Sequence, residues 1–221
     1  MCGRYTLTTP VEALAKEFGV GGALPGLPAS YNVAPSQEVA AVVVGESGER
    51  RLELLRWGLV PSWADDPGIG NRMINARSET APEKPSFRKA FKSRRCLIPA
   101  DGFYEWQKTS GGKQPFHIRM KRGRPFAFAG LWEEWRGDEG EIRSCAILTT
   151  EPNAVLSPIH NRMPVILPRD AYEPWLSPEA EKEELVALLR PYPEDGMEAY
   201  PVDRFVNSPS NDDPRCVEPA A

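Results

Sequence analysis

The sequence predicts an α+β fold, in which a mainly antiparallel, barrel-like β-sheet is flanked by short helices. Six or more short apolar runs are separated by turn residues, and helical spacing is confined to brief segments. The strands and helices do not alternate in the βαβ rhythm that is typical of a parallel sheet. A chain of 221 residues without a repeat or a linker suits one domain, so we assign residues 1–221 to it.

The amino-terminal half contains one helix and a strand pair. Thr9-Pro10-Val11-Glu12 has the pattern of an N-cap, a first-turn proline and a capping-box acid, and Gly19 ends the helix. Val39–Val44 and Arg51–Trp57 are predicted strands joined by a turn at 45–48. A long irregular segment follows at Pro61–Pro85, and loops of this length are usually functional or disordered.

The carboxyl-terminal half adds a short helix, several strands and a second helix. We expect a hairpin in which Pro115–Met120 pairs with Pro125–Leu131 across the turn at 121–124. The other predicted elements are a helix at Ser86–Arg94, strands at Arg143–Thr149, Val165–Leu167 and Ala199–Val206, and a helix from Ser177 to about Arg190.

Composition indicates a soluble globular protein, with 41% hydrophobic and 26% charged residues. No run approaches the roughly 20 apolar residues of a membrane span, and the first ten residues do not resemble a secretory signal. We therefore expect a cytoplasmic protein without a membrane partner. The sequence carries no clear signal for an oligomer, and we expect a monomer.

Charge is distributed unevenly along the chain. Residues 1–130 contain 19 basic and 12 acidic residues, whereas residues 131–221 contain 8 and 19. Two basic clusters lie at 88–95 and 119–124, and each is either a docking face for a polyanion or a solvated helix face or turn.

The cysteines do not form a metal-binding or disulfide pattern. Cys2, Cys96, Cys145 and Cys216 are far apart, without a CxxC pair, and neither histidine stands at metal-ligand spacing from them. We therefore expect reduced cysteines, no metal and no cofactor.

Cys2 follows the initiator methionine directly. Removal of Met1 would leave an α-amine, whose pKa of about 7.7–8.0 is well below the value of about 10.4 for lysine. The thiol two carbons away is a strong nucleophile, so both groups could attack one carbonyl carbon, first as an imine and then as a five-membered ring. The alternative is that Cys2 is incidental.

Three polar residues lie in apolar or tightly turned contexts. Asn75 follows Met-Ile, Glu105 stands between aromatic residues, and His160 lies in a turn before a strand. A carboxyl group in such a setting tends to have a raised pKa, and an imidazole titrates near neutrality, which suits proton transfer. Each residue also has a structural interpretation, as a turn former, an ion-pair partner or a satisfied histidine.

Eight segments follow one another along the chain: MCGRYTLT, YNVAPSQ, WGLVPSWA, INARSET, RRCLIPADGFYEW, FAFAGLWEEW, LTTEPN and IHNRMPVIL. In this order they resemble the SRAP family, the abasic-site processing, SOS-response-associated peptidase-like proteins. The resemblance covers nearly the whole chain and implies binding to single-stranded DNA and a covalent crosslink to the ring-opened aldehyde of an abasic site.

The resemblance also implies roles for individual residues. It implies a catalytic group of Cys2, Asn75, Glu105 and His160. It implies a DNA-binding group of Arg4, Asn32, Trp63, Arg77, Thr149 and Arg162. The expected product is a thiazolidine at Cys2, with β-elimination and self-removal of Met1 as further activities. The partner is single-stranded DNA that contains abasic sites.

Three other functions remain open at this point. An N-terminal-nucleophile glutamine amidotransferase also begins Met-Cys-Gly, but the motifs after Cys2 follow the SRAP order, and we expect no synthetase domain within these 221 residues. A peptidase could use Cys2 on peptides. A non-covalent single-strand binder would not need Cys2.

Overall fold

A closed ring of five strands forms the frame of the protein, and a second sheet of five strands packs beside it. The computed structural model describes residues 2–45, 47–137 and 140–220. Its strands are β1 (Tyr5–Leu7), β2 (Ser30–Val33), β3 (Glu38–Val44), β4 (Arg50–Trp57), β5 (Asn75–Arg77), β6 (Arg95–Ala100), β7 (Gly102–Thr109), β8 (Gly112–Met120), β9 (Phe126–Gly137), β10 (Gly140–Thr150), β11 (Met163–Pro164), β12 (Ile166–Leu167) and β13 (Met197–Pro201). Its helices are α1 (Val11–Phe18), α2 (Arg88–Ser93), α3 (Tyr172–Leu176) and α4 (Lys182–Leu188), with 3₁₀ turns at 67–72, 169–171, 194–196, 204–207 and 214–217.

The ring runs β10-β4-β3-β6-β9 and closes because β9 also pairs with β10. Most of these pairs are antiparallel, although β10 runs parallel to β4 and to β5. The apolar β3 is buried over Val39–Val43, as expected for a strand that has neighbours on both edges and core on both faces. The α+β class and the barrel-like sheet predicted from the sequence are confirmed.

The second sheet has the order β13-β8-β7-β1-β2 and carries the amino terminus. Strand β1 pairs with β7, and β7 pairs with β8 through a hairpin whose closing pair is Thr109 with Gly112. Gly102 begins β7 where a side chain does not fit, because an added Cβ would lie 2.3 Å from His117 Nε2. This sheet places the first residues of the chain beside the middle of β7.

The hairpin predicted between Pro115–Met120 and Pro125–Leu131 is wrong. Strand β8 pairs with β7 and β13, whereas β9 pairs with β6, β10 and β12 in the other sheet. The chain therefore crosses between the sheets at 121–125. A pattern of apolar residues identifies strands but does not select their partners, which are chosen by long-range packing.

Helix boundaries differ from the prediction at two places. Helix α1 ends at Gly19 in the left-handed conformation (φ 64°), as expected, but Thr9 does not cap it. Thr9 Oγ1 instead donates to Asp101 Oδ1 at 2.6 Å. Helix α4 begins at Lys182 rather than at Ser177, because Glu181 and Glu184 supply its capping box. The predicted turn at 45–48 includes Glu46, which lies outside the described residues.

Candidate functional site

A cleft of about 760 Å³ opens where β7 extends beyond its pairing with β1. Gly3, Glu105 and His160 line it together, so the amino-terminal segment, β7 and the turn before β11 meet there. Asn75 reaches the same region from β5. The four residues predicted as catalytic therefore come from four separate parts of the chain.

Cys2 is fully buried at the base of this arrangement. Burial, with a further contribution from the Glu105 carboxylate, raises the pKa of the Cys2 thiol well above its ordinary value. Cys2 Sγ lies 3.9 Å from the Arg4 carbonyl oxygen. At neutral pH the group is therefore a thiol, and it needs a base before it can act as a nucleophile.

Asn75 fixes the backbone of Cys2. Its Nδ2 donates to the Cys2 carbonyl oxygen at 2.8 Å, and the parallel pairing of Asn75 with Ile147 of β10 sets the position of the amide. Asn75 Oδ1 is buried and has no hydrogen-bond partner among the described residues. It is thus an acceptor that a donor group in the site could use.

Glu105 is a buried carboxyl group in the middle of β7, with 2% of its surface exposed. Burial raises its pKa to about 7, and the positive charge of the amino terminus acts in the opposite direction. A carboxyl group that is about half ionised at neutral pH can both accept and release a proton.

His160 ends a turn that is closed by its own backbone, since His160 N donates to the Leu156 carbonyl oxygen at 2.9 Å. The Arg162 amide donates to His160 Nδ1 at 3.1 Å. Nδ1 also lies 3.3 Å from the Arg162 carbonyl oxygen, but the shorter contact assigns Nδ1 as an acceptor and leaves the ring proton on Nε2. Burial and nearby positive charges lower the pKa of His160, so the ring is neutral at pH 7.

Arg162 is engaged inside the protein. Its Nη1 and Nη2 donate to Glu79 Oε1 and Oε2 at 2.6 and 2.9 Å, and Nη2 donates to the Thr149 carbonyl oxygen at 2.5 Å. Thr149 is fully buried and pairs with Arg77 of β5. The two-point ion pair connects the His160 turn to the segment after β5 and thereby orients the turn.

Arg4 and Asn32 bind the carboxyl-terminal segment. Arg4 Nη1 donates to Asn32 Oδ1 at 2.9 Å and to the Val206 carbonyl oxygen at 3.0 Å. Asn32 is 1% exposed, and its Nδ2 donates to the carbonyl oxygens of Val206, Ser208 and Asn211. The structure therefore places Asn32 below the surface that a DNA strand could touch.

Trp63 and Arg77 are the two predicted DNA-binding residues that lie in the open. Trp63 is 58% exposed in the loop before the 3₁₀ turn at 67–72, and Arg77 is exposed at the end of β5. Lys89 lies near Trp63, because its Nζ donates to Ser62 Oγ at 3.1 Å. An exposed indole beside a cation is a combination that suits an unpaired base and its phosphate.

The basic cluster at 88–95 is only partly a surface. Arg95 is buried and donates to four backbone carbonyl groups, and Arg94 forms an ion pair with Glu133. The cluster at 119–124 lies at the end of β8 that points away from the cleft, and Arg119 pairs there with Glu198. The sequence does not separate these structural arginines from the solvent-exposed basic residues.

Several residues that line the cleft were not identified from the sequence, among them Trp106, Lys108 and Lys113. Trp106 follows Glu105 on β7 and donates through Nε1 to Asn207 Oδ1 at 2.8 Å. Strand alternation beside Glu105 gave no signal for them, because Trp106 and Lys108 lie on the face of β7 opposite to Glu105.

The described part of the chain contains no group of His, Cys, Asp or Glu residues that could hold a metal ion. All four cysteines are buried free thiols. Across the same residues, none of the helices has the length and apolar character needed to cross a bilayer.

Comparison with known proteins agrees with the resemblance in the sequence. The abasic site processing protein YoqW of Bacillus subtilis is 47% identical over 223 residues, covering 99% of both chains. The abasic site processing protein HMCES of Gallus gallus is 37% identical over 79% of this chain and 59% of its own. A crystal structure from Bacteroides thetaiotaomicron matches over all of both chains with a TM-score of 0.91 and 28% identity. The family model described as SOS response associated peptidase (SRAP) matches residues 1–209, and the chain therefore belongs to the SRAP family.

Proposed function

We propose that this protein processes abasic sites, and that it does so by forming a covalent bond between Cys2 and the abasic sugar in single-stranded DNA. The observation that carries the proposal is that Glu105 and His160 line one cleft with Gly3, while Cys2 is buried directly before Gly3 and is held there by Asn75. The printed names of its relatives, abasic site processing proteins, support the same substrate.

The reaction begins when Met1 is removed and the α-amine of Cys2 is free. The amine attacks C1′ of the ring-opened aldehyde, and loss of one water molecule gives an imine. The Cys2 sulfur then adds to the imine carbon, and the thiol proton is transferred to the nitrogen. The product is a thiazolidine ring, and the only leaving group of the whole sequence is water.

Glu105 and His160 divide the proton transfers between them. Glu105, with a pKa of about 7, accepts the proton of the buried thiol and returns it to nitrogen or oxygen. His160 stays neutral, and its Nε2–H donates to the sugar oxygen during ring opening. Asn75 Oδ1 accepts a hydrogen bond from the α-amine and thereby directs its lone pair toward C1′.

The DNA strand lies along the cleft and across the exposed face near Trp63 and Arg77. Trp63 stacks on an unpaired base without reading its identity, and Arg77 contacts a phosphate. Asn32 and Thr149 act from behind this surface because they are buried. Arg4 lines the cleft, but its guanidinium group donates to Asn32 and the carboxyl-terminal segment, and that of Arg162 donates to Glu79. All these residues come from one chain, so a monomer suffices.

One experiment tests the crosslink. Protein whose Met1 has been removed is incubated with single-stranded DNA that carries one abasic site, and the mixture is separated on a denaturing gel. We expect a heat-stable protein–DNA band with the wild type, and none with Cys2→Ala or with a variant that keeps an unremovable amino-terminal extension before Cys2. The same oligonucleotide without an abasic site is the control. Absence of the wild-type band would contradict the proposal.

Cys2→Ser separates the two chemical steps. It retains the α-amine but lacks the thiol, so it forms only the hydrolysable imine. We expect its band to appear only after borohydride reduction, and we expect strand cleavage by β-elimination to increase because the imine persists. A heat-stable band without reduction would place the second bond elsewhere.

Self-removal of Met1 is a further activity that we propose for Cys2. Protein made in a purified translation system without methionine aminopeptidase should lose Met1 on incubation, whereas Cys2→Ala should retain it. Intact mass measurement distinguishes the two. Retention of Met1 by the wild type would assign its removal to another enzyme.

A further inference from the structure

Two lysines face each other across the β7–β8 hairpin at the edge of the cleft. Lys108 and Lys113 are directly paired in the strand register, next to the closing pair of the hairpin. Like charges in this position are destabilising, since the Cβ atoms of opposite residues lie about 4.5–5.5 Å apart. Among the described residues, no acidic side chain lies within ion-pair distance of either ammonium group.

Both lysines belong to the cleft that holds Glu105 and His160. Their positive charges contribute to the lowered pKa of His160, so their field crosses the cleft to its opposite side. Because side chains alternate along a strand, Lys108 also shares its face of the hairpin with Trp106. The lysine pair and the aromatic ring therefore border one end of the same opening.

The other cations of the cleft region are already engaged. Arg4 donates to the carboxyl-terminal segment, and Arg162 donates to Glu79 and Thr149. A strand in the cleft brings phosphate groups that need positive partners, and the lysine pair is placed to supply them. Binding of an anion between the two ammonium groups would also relieve their mutual repulsion.

We propose that Lys108 and Lys113 form a binding site for the phosphodiester backbone of the DNA strand next to the abasic nucleotide. The inference rests on the proposed function, because it takes single-stranded DNA as the occupant of the cleft. Lysine ammonium groups act as point charges and do not read bases, so the site grips the strand in any sequence context.

The test measures binding to DNA that cannot crosslink. A fluorescein-labelled single-stranded oligonucleotide without an abasic site is titrated with protein, and anisotropy is followed between 50 and 200 mM salt. The variant is Lys108→Gln/Lys113→Gln. The matched control is Lys121→Gln/Arg122→Gln, which removes the same charge about 25 Å away along β8, from the rise of about 3.3 Å per residue.

The salt dependence gives the expected result. Each lost phosphate contact lowers the slope of log K against log salt by about 0.7 for single strands, so the slope should fall by about 0.7–1.4. The control should keep the wild-type slope, and so should Lys108→Arg/Lys113→Arg, which preserves both charges. The single variants Lys108→Gln and Lys113→Gln should each show part of this fall in the slope.

Two results would overturn the lysine site. One is a slope of log K against log salt for Lys108→Gln/Lys113→Gln that equals the wild-type slope. The other is a slope for Lys121→Gln/Arg122→Gln that falls as much as that of the lysine variant. Melting temperatures establish that each variant is folded, and the single variants decide the question if the double variant does not fold. Crosslinking to abasic DNA is scored on a separate denaturing gel, so its failure is distinguished from failure of the phosphate site.

Discussion

Replacement of Glu105 by Gln should stabilise the protein at alkaline pH and leave its stability unchanged at acid pH. The pKa of Glu105 is raised from 4.5 to about 7 by burial. Between these values the folded protein binds more protons than the unfolded chain, so stability falls as pH rises through this window. The difference between these two pKa values corresponds to about 3 kcal/mol in the free energy of unfolding.

Urea unfolding at pH 4 and at pH 8 measures this effect. Gln resembles the protonated carboxyl group, so we expect equal unfolding free energies at pH 4 and a gain of up to about 3 kcal/mol for Glu105→Gln at pH 8. His117 titrates in both proteins, so its contribution cancels in the difference. The same variant should lose most of its crosslinking rate, because Gln cannot accept the thiol proton.

This reasoning would be refuted if the unfolding free energies of the wild type and Glu105→Gln differed by the same amount at pH 4 and at pH 8. Such a result would mean that the stability change arises from packing or hydrogen bonding and not from the ionisation of Glu105. A loss of stability at pH 8 would show that the carboxylate is stabilised in the fold, for example by the charge of the amino terminus, more than burial destabilises it.

Three further results are expected. Burial lowers the pKa of His117 from 6.5 to about 3. The wild type should therefore lose stability as pH falls through this window, by at most about 1.4 kcal/mol per pH unit. Urea unfolding of His117→Gln should not show this pH dependence. Asn32→Ala should destabilise the protein by about 2–3 kcal/mol in the same assay, because carbonyl groups of the carboxyl-terminal segment lose their donor; an unchanged midpoint would contradict this. Trp63→Ala should weaken single-strand binding by about 1–3 kcal/mol in anisotropy titrations without changing the melting temperature, and unaltered affinity would exclude stacking there.

Local features of the sequence predicted local structure well. The apolar run of β3, the spacing of α1 and the glycine after Phe18 are short-range patterns, and each is found as expected. The order of the motifs identified the family, and it named the four residues that the fold brings to one region. The pairing of β8 was not predictable in this way, because its partners lie in distant parts of the chain.

The sequence by itself determined the fold class and the family, and it predicted reactive groups at Cys2, Asn75, Glu105 and His160. Only the tertiary structure decided what surrounds them. It set the pKa of Glu105 through burial, it engaged Arg4 and Arg162 in hydrogen bonds within the protein, and it paired two lysines across the β7–β8 hairpin beside the cleft. Burial and charge environment depend on residues that are far apart in the chain, so they arise only when the chain has folded.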